Sequence, residues 1–282
     1  MKPVLDIGFV NNMPDAALEA TERQFVSLLN EAAGGDITLR LTFYALPTVP
    51  RKDLGRRRLS SYSDIGDLWG RSLDGLIVTG TEPRAKDLKD EPYWADLARL
   101  LSWAGQNTSS SVWSCLAAHA AVLHLDGIQR RRLSEKRFGI FNCAQAGGHF
   151  LNAGALKRTD VPHSRWNDLR EDELKAAGYE ILTRIGDAGV DSFVKQGKSL
   201  FVFIQGHPEY DAETLLLEYR RDVERSLRHE SEVAPSLPNG YPDSVGPVVN
   251  TWRSYAVQLY RNWLSYLAQR KGPALQPLGA RA

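Results

Sequence analysis

Short apolar runs alternate with longer amphipathic stretches along most of this chain, and that alternation constrains the fold more than any other feature of it. Val4 to Val10, Ile37 to Tyr44, Leu73 to Gly80, Ser111 to Cys115 and Ser199 to Ile204 read as strands. Between them lie helical patterns. The first follows the turn Asn11-Asn12-Met13-Pro14-Asp15 and carries Leu18, Phe25, Leu28 and Leu29 on one face. Others run from Tyr93 to Ala104, Leu116 to Leu125, Glu213 to Leu227 and Trp252 to Gln269. The polar stretch around Arg56-Arg57-Arg58 reads as a loop, as does the Pro-, Gly- and Ser-rich segment 231–248. Residues 126–195 are mixed, with short strand-like pieces. Strands alternating with helices predict an α/β fold, a mostly parallel sheet flanked by helices. Residues 1–270 are expected to form a single domain, and 271–282 a disordered tail.

Composition removes several classes of function. Thirty-five Lys and Arg face 34 Asp and Glu, a net charge of +1, without the basic excess that a nucleic-acid surface needs. The chain is 43% hydrophobic, too apolar for disorder. No stretch approaches the roughly 18 apolar residues of a membrane span, and the first residues lack a signal-peptide core. Two cysteines, Cys115 and Cys143, make no disulfide framework, so a cytoplasmic location is expected.

Ligands of α/β sheets gather beyond the carboxyl ends of the strands. Three such ends carry capable residues here. Cys115 stands where a strand runs straight into a helix, a turn that exposes a nucleophile beside free helix N–H groups and favours its thiolate. A buried, inert thiol is the plainer alternative for this segment alone. Gly206-His207-Pro208-Glu209 follows a later strand. His207 could take the thiol proton while Glu209 orients the ring; an ordinary surface turn is the alternative. Thr79-Gly80-Thr81 ends the strand from Leu73, and a Thr81 N–H with the Leu116 N–H could form an oxyanion hole. Cys115, His119, His124, Cys143 and His149 match no closed four-ligand pattern, so no metal is expected.

These residues resemble a family. Asp74-Gly-Leu-Ile-Val-Thr-Gly80, the Cys115 turn, Pro162-His-Ser-Arg165 and above all Gly206-His-Pro-Glu-Tyr-Asp211 are similar to homoserine O-acyltransferases, succinyl or acetyl, of the flavodoxin-like class I glutamine-amidotransferase-like fold. The resemblance runs from about Val4 to Leu267. It implies Cys115 as the acyl-accepting nucleophile, His207 as base and Glu209 as its partner. It also implies that Lys136, Ser164 and Arg221 bind the amino-acid acceptor, whose carboxylate suits Lys and Arg. The partners implied are small molecules, an acyl-CoA co-substrate and a hydroxy amino acid, with no other cofactor. A glutaminase of this fold has Gly on both sides of the nucleophile at positions where Trp113 and Ala117 stand here.

Three departures from the family matter. The first strand begins almost at Met1, without the family's N-terminal segment, which leaves the expected homodimer open. At the place linked to acyl choice stands Arg84, with Glu82 two residues earlier. Arg84 could pair with a succinyl carboxylate, or Glu82 could take the acidic role of acetyl enzymes. The segment Phe138 to His149 follows the family loosely, so serine stays open beside homoserine. The triplets Arg56 to Arg58 and Arg130 to Arg132 are candidates for the phosphates of CoA, with a plain solvated basic surface as the equal alternative. An amide hydrolase with the same three groups, and a non-catalytic binding protein, remain the competing readings.

Overall fold

In the computed structural model, residues 2–186, 188–230, 234–241 and 248–272 are described. They form one nine-stranded sheet, ordered β2-β1-β3-β4-β9-β8-β7-β5-β6. The strands are β1 (Val4–Val10), β2 (Thr38–Tyr44), β3 (Leu73–Val78), β4 (Thr108–Ser114), β5 (Arg131–Gln145), β6 (Arg158–Asp168), β7 (Glu180–Arg184), β8 (Val190–Gln196) and β9 (Leu200–Ile204). From β2 to β9 every neighbouring pair is parallel. From β9 to β6 every pair is antiparallel. The expected parallel sheet is therefore extended on one side by the region read as mixed.

The helices are α1 (Leu18–Ala33), α2 (Asp53–Leu59), α3 (Trp94–Asn107), α4 (Leu116–Asp126), α5 (Glu171–Ala176), α6 (Thr214–Leu227) and α7 (Arg253–Lys271). They cover both faces of the parallel half. Successive strand residues point to opposite faces. Leu5 and Ile7 of β1, with Val112 of β4, pack with Phe25 of α1 and Trp263 of α7. Leu76, Val78 and Trp113 pack on the other face with Leu100 and Leu101 of α3 and the alanines of α4. Every residue of α4 from Leu116 to Leu123 is buried, which explains its apolar sequence without a membrane. No described helix is long and apolar enough to cross one.

Two expectations need correction. The Arg56 to Arg58 stretch is helical, in α2, with the three arginines in its last turn; cations there suit the helix dipole. None of the three lines the cleft described below. Of the expected tail, Lys271 closes α7, Gly272 follows it, and 273–282 lie outside the described residues. Residues 231–233 and 242–247 of the expected loop also lie outside them.

Candidate active site

Cys115 joins β4 to α4 with φ 52° and ψ −113°. A non-glycine residue in that region costs about 1–3 kcal/mol and persists only where its surroundings over-determine it. They do so here. The Cys115 N–H donates to the Ile204 carbonyl of β9 at 2.7 Å, and the Cys115 carbonyl accepts from the N–H groups of Ala118 and His119. The half-buried thiol lines a cleft of 1420 Å³ at the carboxyl ends of the parallel strands.

Gly80 brings the loop after β3 against the start of α4. A Cβ on Gly80 would lie 2.8 Å from Leu116 Cβ and 2.9 Å from Leu116 N. Only glycine permits that approach. Among the described residues, neither the Thr81 nor the Leu116 N–H donates to a protein acceptor. Both residues line the cleft beside Cys115.

His207 hangs from the end of β9, and its N–H donates to the Pro162 carbonyl of β6 at 2.8 Å. Its Nδ1 lies 2.8 Å from Glu209 Oε1, and both side chains are nearly buried. Tyr210 stacks on the imidazole, with ring centroids 4.3 Å apart. Burial works against charge on His207. The neighbouring Cys115 and the Glu209 carboxylate outweigh it and hold His207 well above its ordinary range. The ring thus holds Glu209 on Nδ1 and shares the cleft with Cys115.

The remaining predicted residues share the cleft. Lys136 Nζ lies 2.9 Å from Asp222 Oδ2 and 3.9 Å above the Phe138 ring. Arg221 reaches the other oxygen of Asp222 at 3.1 Å. Two cations on one carboxylate leave a net positive site for an acceptor's carboxylate. Ser164 Oγ donates to Glu218, whose second oxygen accepts from Tyr210. Glu82 forms a two-pronged ion pair with Arg225, at 2.8 and 3.0 Å. The Arg84 side chain is exposed on the cleft wall, while its N–H donates to Glu91. All ten residues expected to serve catalysis, the oxyanion hole, acceptor binding or acyl choice line this one cleft.

Tyr210, Glu218, Asp222 and Arg225 were not singled out. A signal for most of them exists: Glu218, Arg221, Asp222 and Arg225 stand at helical spacing i, i+3, i+4, i+7 on α6, a helix with Leu215 as its one buried residue. That polar stripe faces the cleft.

A Cys–His–Asp group, Cys143, His163 and Asp191, lies buried with its ligand atoms within 4.8 Å of one another. None of the three lines the cleft. Arg165 Nε donates to His163 Nδ1 at 3.2 Å, which places the ring proton on Nε2, facing Asp191. A metal at Nε2 would have to displace that proton, so this donor set fits a cation poorly.

The sequence model of the homoserine O-succinyltransferase family matches residues 2–274. The chain belongs to the homoserine O-succinyltransferase family. The homoserine O-succinyltransferase of Rhodopseudomonas palustris is 53% identical over 242 residues, covering 86% of this chain and 72% of its own. That of Bradyrhizobium japonicum is 43% identical over 293 residues, covering 94% and 90%. Membership of the homoserine O-succinyltransferase family makes the chain an acyltransferase. A glutamine amidotransferase from Methylobacillus flagellatus shares the fold, with TM-score 0.57, 16% identity and coverage of 94% and 95%. One from Thermotoga maritima does too, at 0.57, 12%, 95% and 99%. The fold expectation is met; at these identities the likeness concerns the fold alone.

Proposed function

We propose that this chain moves a succinyl group from succinyl-CoA to the side-chain hydroxyl of homoserine through a thioester on Cys115, in two half-reactions. The observation that carries this reading is the strained Cys115 turn facing His207, with His207 held by Glu209.

In the first half-reaction the Cys115 thiolate attacks the thioester carbonyl. The negative charge that develops on oxygen falls to the N–H groups of Thr81 and Leu116. The tetrahedral intermediate collapses, the bond to the CoA sulfur breaks, and the His207 imidazolium gives that sulfur its proton. In the second, neutral His207 takes the proton of the acceptor hydroxyl as it attacks the Cys115 thioester. Collapse releases the O-acyl amino acid and restores thiolate and imidazolium. Glu209 keeps the ring in one tautomer and steadies its charge throughout.

Lys136 and Arg221 bind the acceptor carboxylate, and Ser164 meets its polar groups. Arg84 receives the free carboxylate of the succinyl group, while Glu82 is neutralised by Arg225 and serves the donor side indirectly. The acyl-CoA is a co-substrate, and the scheme calls for no metal or other cofactor. One cleft served by strands from both halves of the sheet supports reading residues 1–270 as a single acyltransferase domain.

Intact-mass measurement after mixing with succinyl-CoA tests this reading. The wild-type chain gains one succinyl group, which homoserine discharges, and Cys115→Ala neither gains the adduct nor turns over. An active, adduct-forming alanine variant overturns it. Preference for acetyl-CoA in the same assay overturns the donor assignment, and glutamine hydrolysis without CoA release favours the amide-hydrolase reading.

A further inference from the structure

The cleft is lined by eight Lys and Arg side chains. Five have a carboxylate partner: Arg23, Lys136, Arg165, Arg221 and Arg225. Arg84, Arg130 and Arg132 have no carboxylate within salt-bridge distance among the described residues. These three lie on one wall. Arg130 Nη2 points to the carbonyls of Ala85 and Lys86 at 3.4 and 3.3 Å, which ties the 130–132 segment to the loop that carries Arg84.

The backbone explains the grouping. Alternate residues of an extended strand share a face. At the start of β5, Arg131 turns to Asp168 at 3.6 Å, while Arg130, Arg132, Ser134 and Lys136 line the cleft, joined by Glu135 where the pairing with β6 slips between Arg132 and Arg137. From Arg130 to Lys136 an extended chain spans at most about 21 Å. The cleft side of this segment thus runs from the acceptor-side lysine to a pair of arginines without a carboxylate partner. Arg132 is held flat, its guanidinium carbon 4.5 Å from the centroid of Trp166, another cleft residue. Stacking fixes the fork and leaves its N–H edges free. Arg130 Nη1 is buried without a hydrogen-bond partner. A buried guanidinium nitrogen without an acceptor is costly, and an anion's oxygen would satisfy it.

Resting on the reading that the donor is a CoA thioester, we propose that Arg130 and Arg132, with Trp166 behind Arg132, bind the phosphate groups at the nucleotide end of CoA. The donor then lies along the cleft-facing side of β5. Its thioester reaches Cys115 while its phosphates rest on the arginine pair, and the acceptor occupies the α6 side. Guanidinium forks match phosphate oxygens in geometry and charge. The Arg56 to Arg58 triplet of α2 does not line the cleft and has no part in this site.

Calorimetric titration of the full chain with free CoA and with pantetheine, which lacks the nucleotide and its phosphates, tests the site. The variants are Arg132→Gln, Arg130→Gln and Arg56→Gln, with folding checked by circular dichroism. CoA should bind wild type more tightly than pantetheine does. Arg132→Gln and Arg130→Gln should each weaken CoA about tenfold, the loss of one charge-assisted contact, and narrow its advantage over pantetheine. Arg56→Gln should match wild type. Folded Arg132→Gln with wild-type CoA affinity, or an equal loss in Arg56→Gln, overturns the proposal. The chemistry separates this site from the function it rests on. CoA binding without succinylation of Cys115 by succinyl-CoA removes the acyl-transfer reading and keeps the site. Succinylation by CoA and pantetheine thioesters with equal kcat/KM keeps the reading and removes the site.

Discussion

Of the two smallest replacements for Cys115, glycine should leave this protein more stable than alanine. Cys115 sits at φ 52° and ψ −113°, a conformation that a Cβ disfavours. Compare Cys115→Gly with Cys115→Ala. Both lose the thiol, its contact with His207 and all turnover, so those effects cancel in the comparison. The variants differ by one methyl group at a backbone position held by the Ile204, Ala118 and His119 hydrogen bonds. Relief of strain favours glycine by about 1–3 kcal/mol. Its freer unfolded chain takes back about 0.4–1 kcal/mol. The net expectation is a glycine variant about 1 kcal/mol more stable than the alanine variant. In a chain of this size that is about 2 °C in Tm. Urea titration and scanning calorimetry at one pH measure both quantities. An alanine variant as stable as the glycine variant would falsify the claim that backbone strain is stored under the nucleophile.

Glu209→Gln keeps the shape of the carboxylate and removes its charge, so kcat should fall about a hundredfold or more. With less holding the proton on His207, the alkaline limb of the acylation step should move to lower pH; an unmoved limb would deny Glu209 its electrostatic role. Gly80→Ala places a methyl group 2.8 Å from Leu116 Cβ and must displace the Leu116 N–H. We expect kcat to drop about a hundredfold with little change in KM for either substrate, and an equal rise in both KM values instead would refute the oxyanion role. His119 is buried and neutral, held to about 4 by burial and by Arg165 against an ordinary value of 6.5. Below pH 6.5 the unfolded chain binds a proton there that the native chain refuses, so stability present above 6.5 is lost as pH falls toward 4. His119→Gln should therefore flatten the pH dependence of the urea midpoint, by about 2 kcal/mol between pH 7.5 and pH 5. A variant with the wild-type slope would show that His119 is not the titrating group.

What could be read from the sequence follows from how local each signal is. The strands from Val4, Leu73 and Leu200 are short and apolar because both faces of the parallel half are covered, and they were placed within a residue or two. Cys115 and the His207-Glu209 pair were legible because each closes such a strand, and the fold aligns strand ends automatically. The antiparallel half was not legible. β5 contains Arg131, Glu135, Lys136 and Arg137, and more than half of its residues are half-buried or exposed. It therefore lacks an apolar run, and its pairing with β6 slips between Arg132 and Arg137. Arg56 to Arg58 read as a loop because charge dominates a helix of seven residues with Gly55 as its one buried position. The stripe on α6 has no apolar period of its own in the sequence, because the repeated face of that helix is polar.

The two halves of the sheet divide the work. In the proposed scheme the parallel half supplies the nucleophile, the N–H groups near it and the strand from which His207 hangs. Its tight core gives those atoms little room to move: Gly80 touches Leu116, and the Cys115 N–H is tied to β9. Covalent chemistry needs that rigidity, since a reacting carbonyl misplaced by an ångström forfeits much of the rate. The antiparallel half and α6 carry polar side chains on a looser frame: Lys136 and Arg132 from β5, Ser164 and Trp166 from β6, Glu218 and Arg221 from α6. Substitutions there change what enters the cleft while the strain at Cys115 is left as it was. Amidotransferases at 16% identity share the fold. In the proposed scheme β5, β6 and α6 hold the acceptor, while Arg84 on the loop after β3 meets the acyl group.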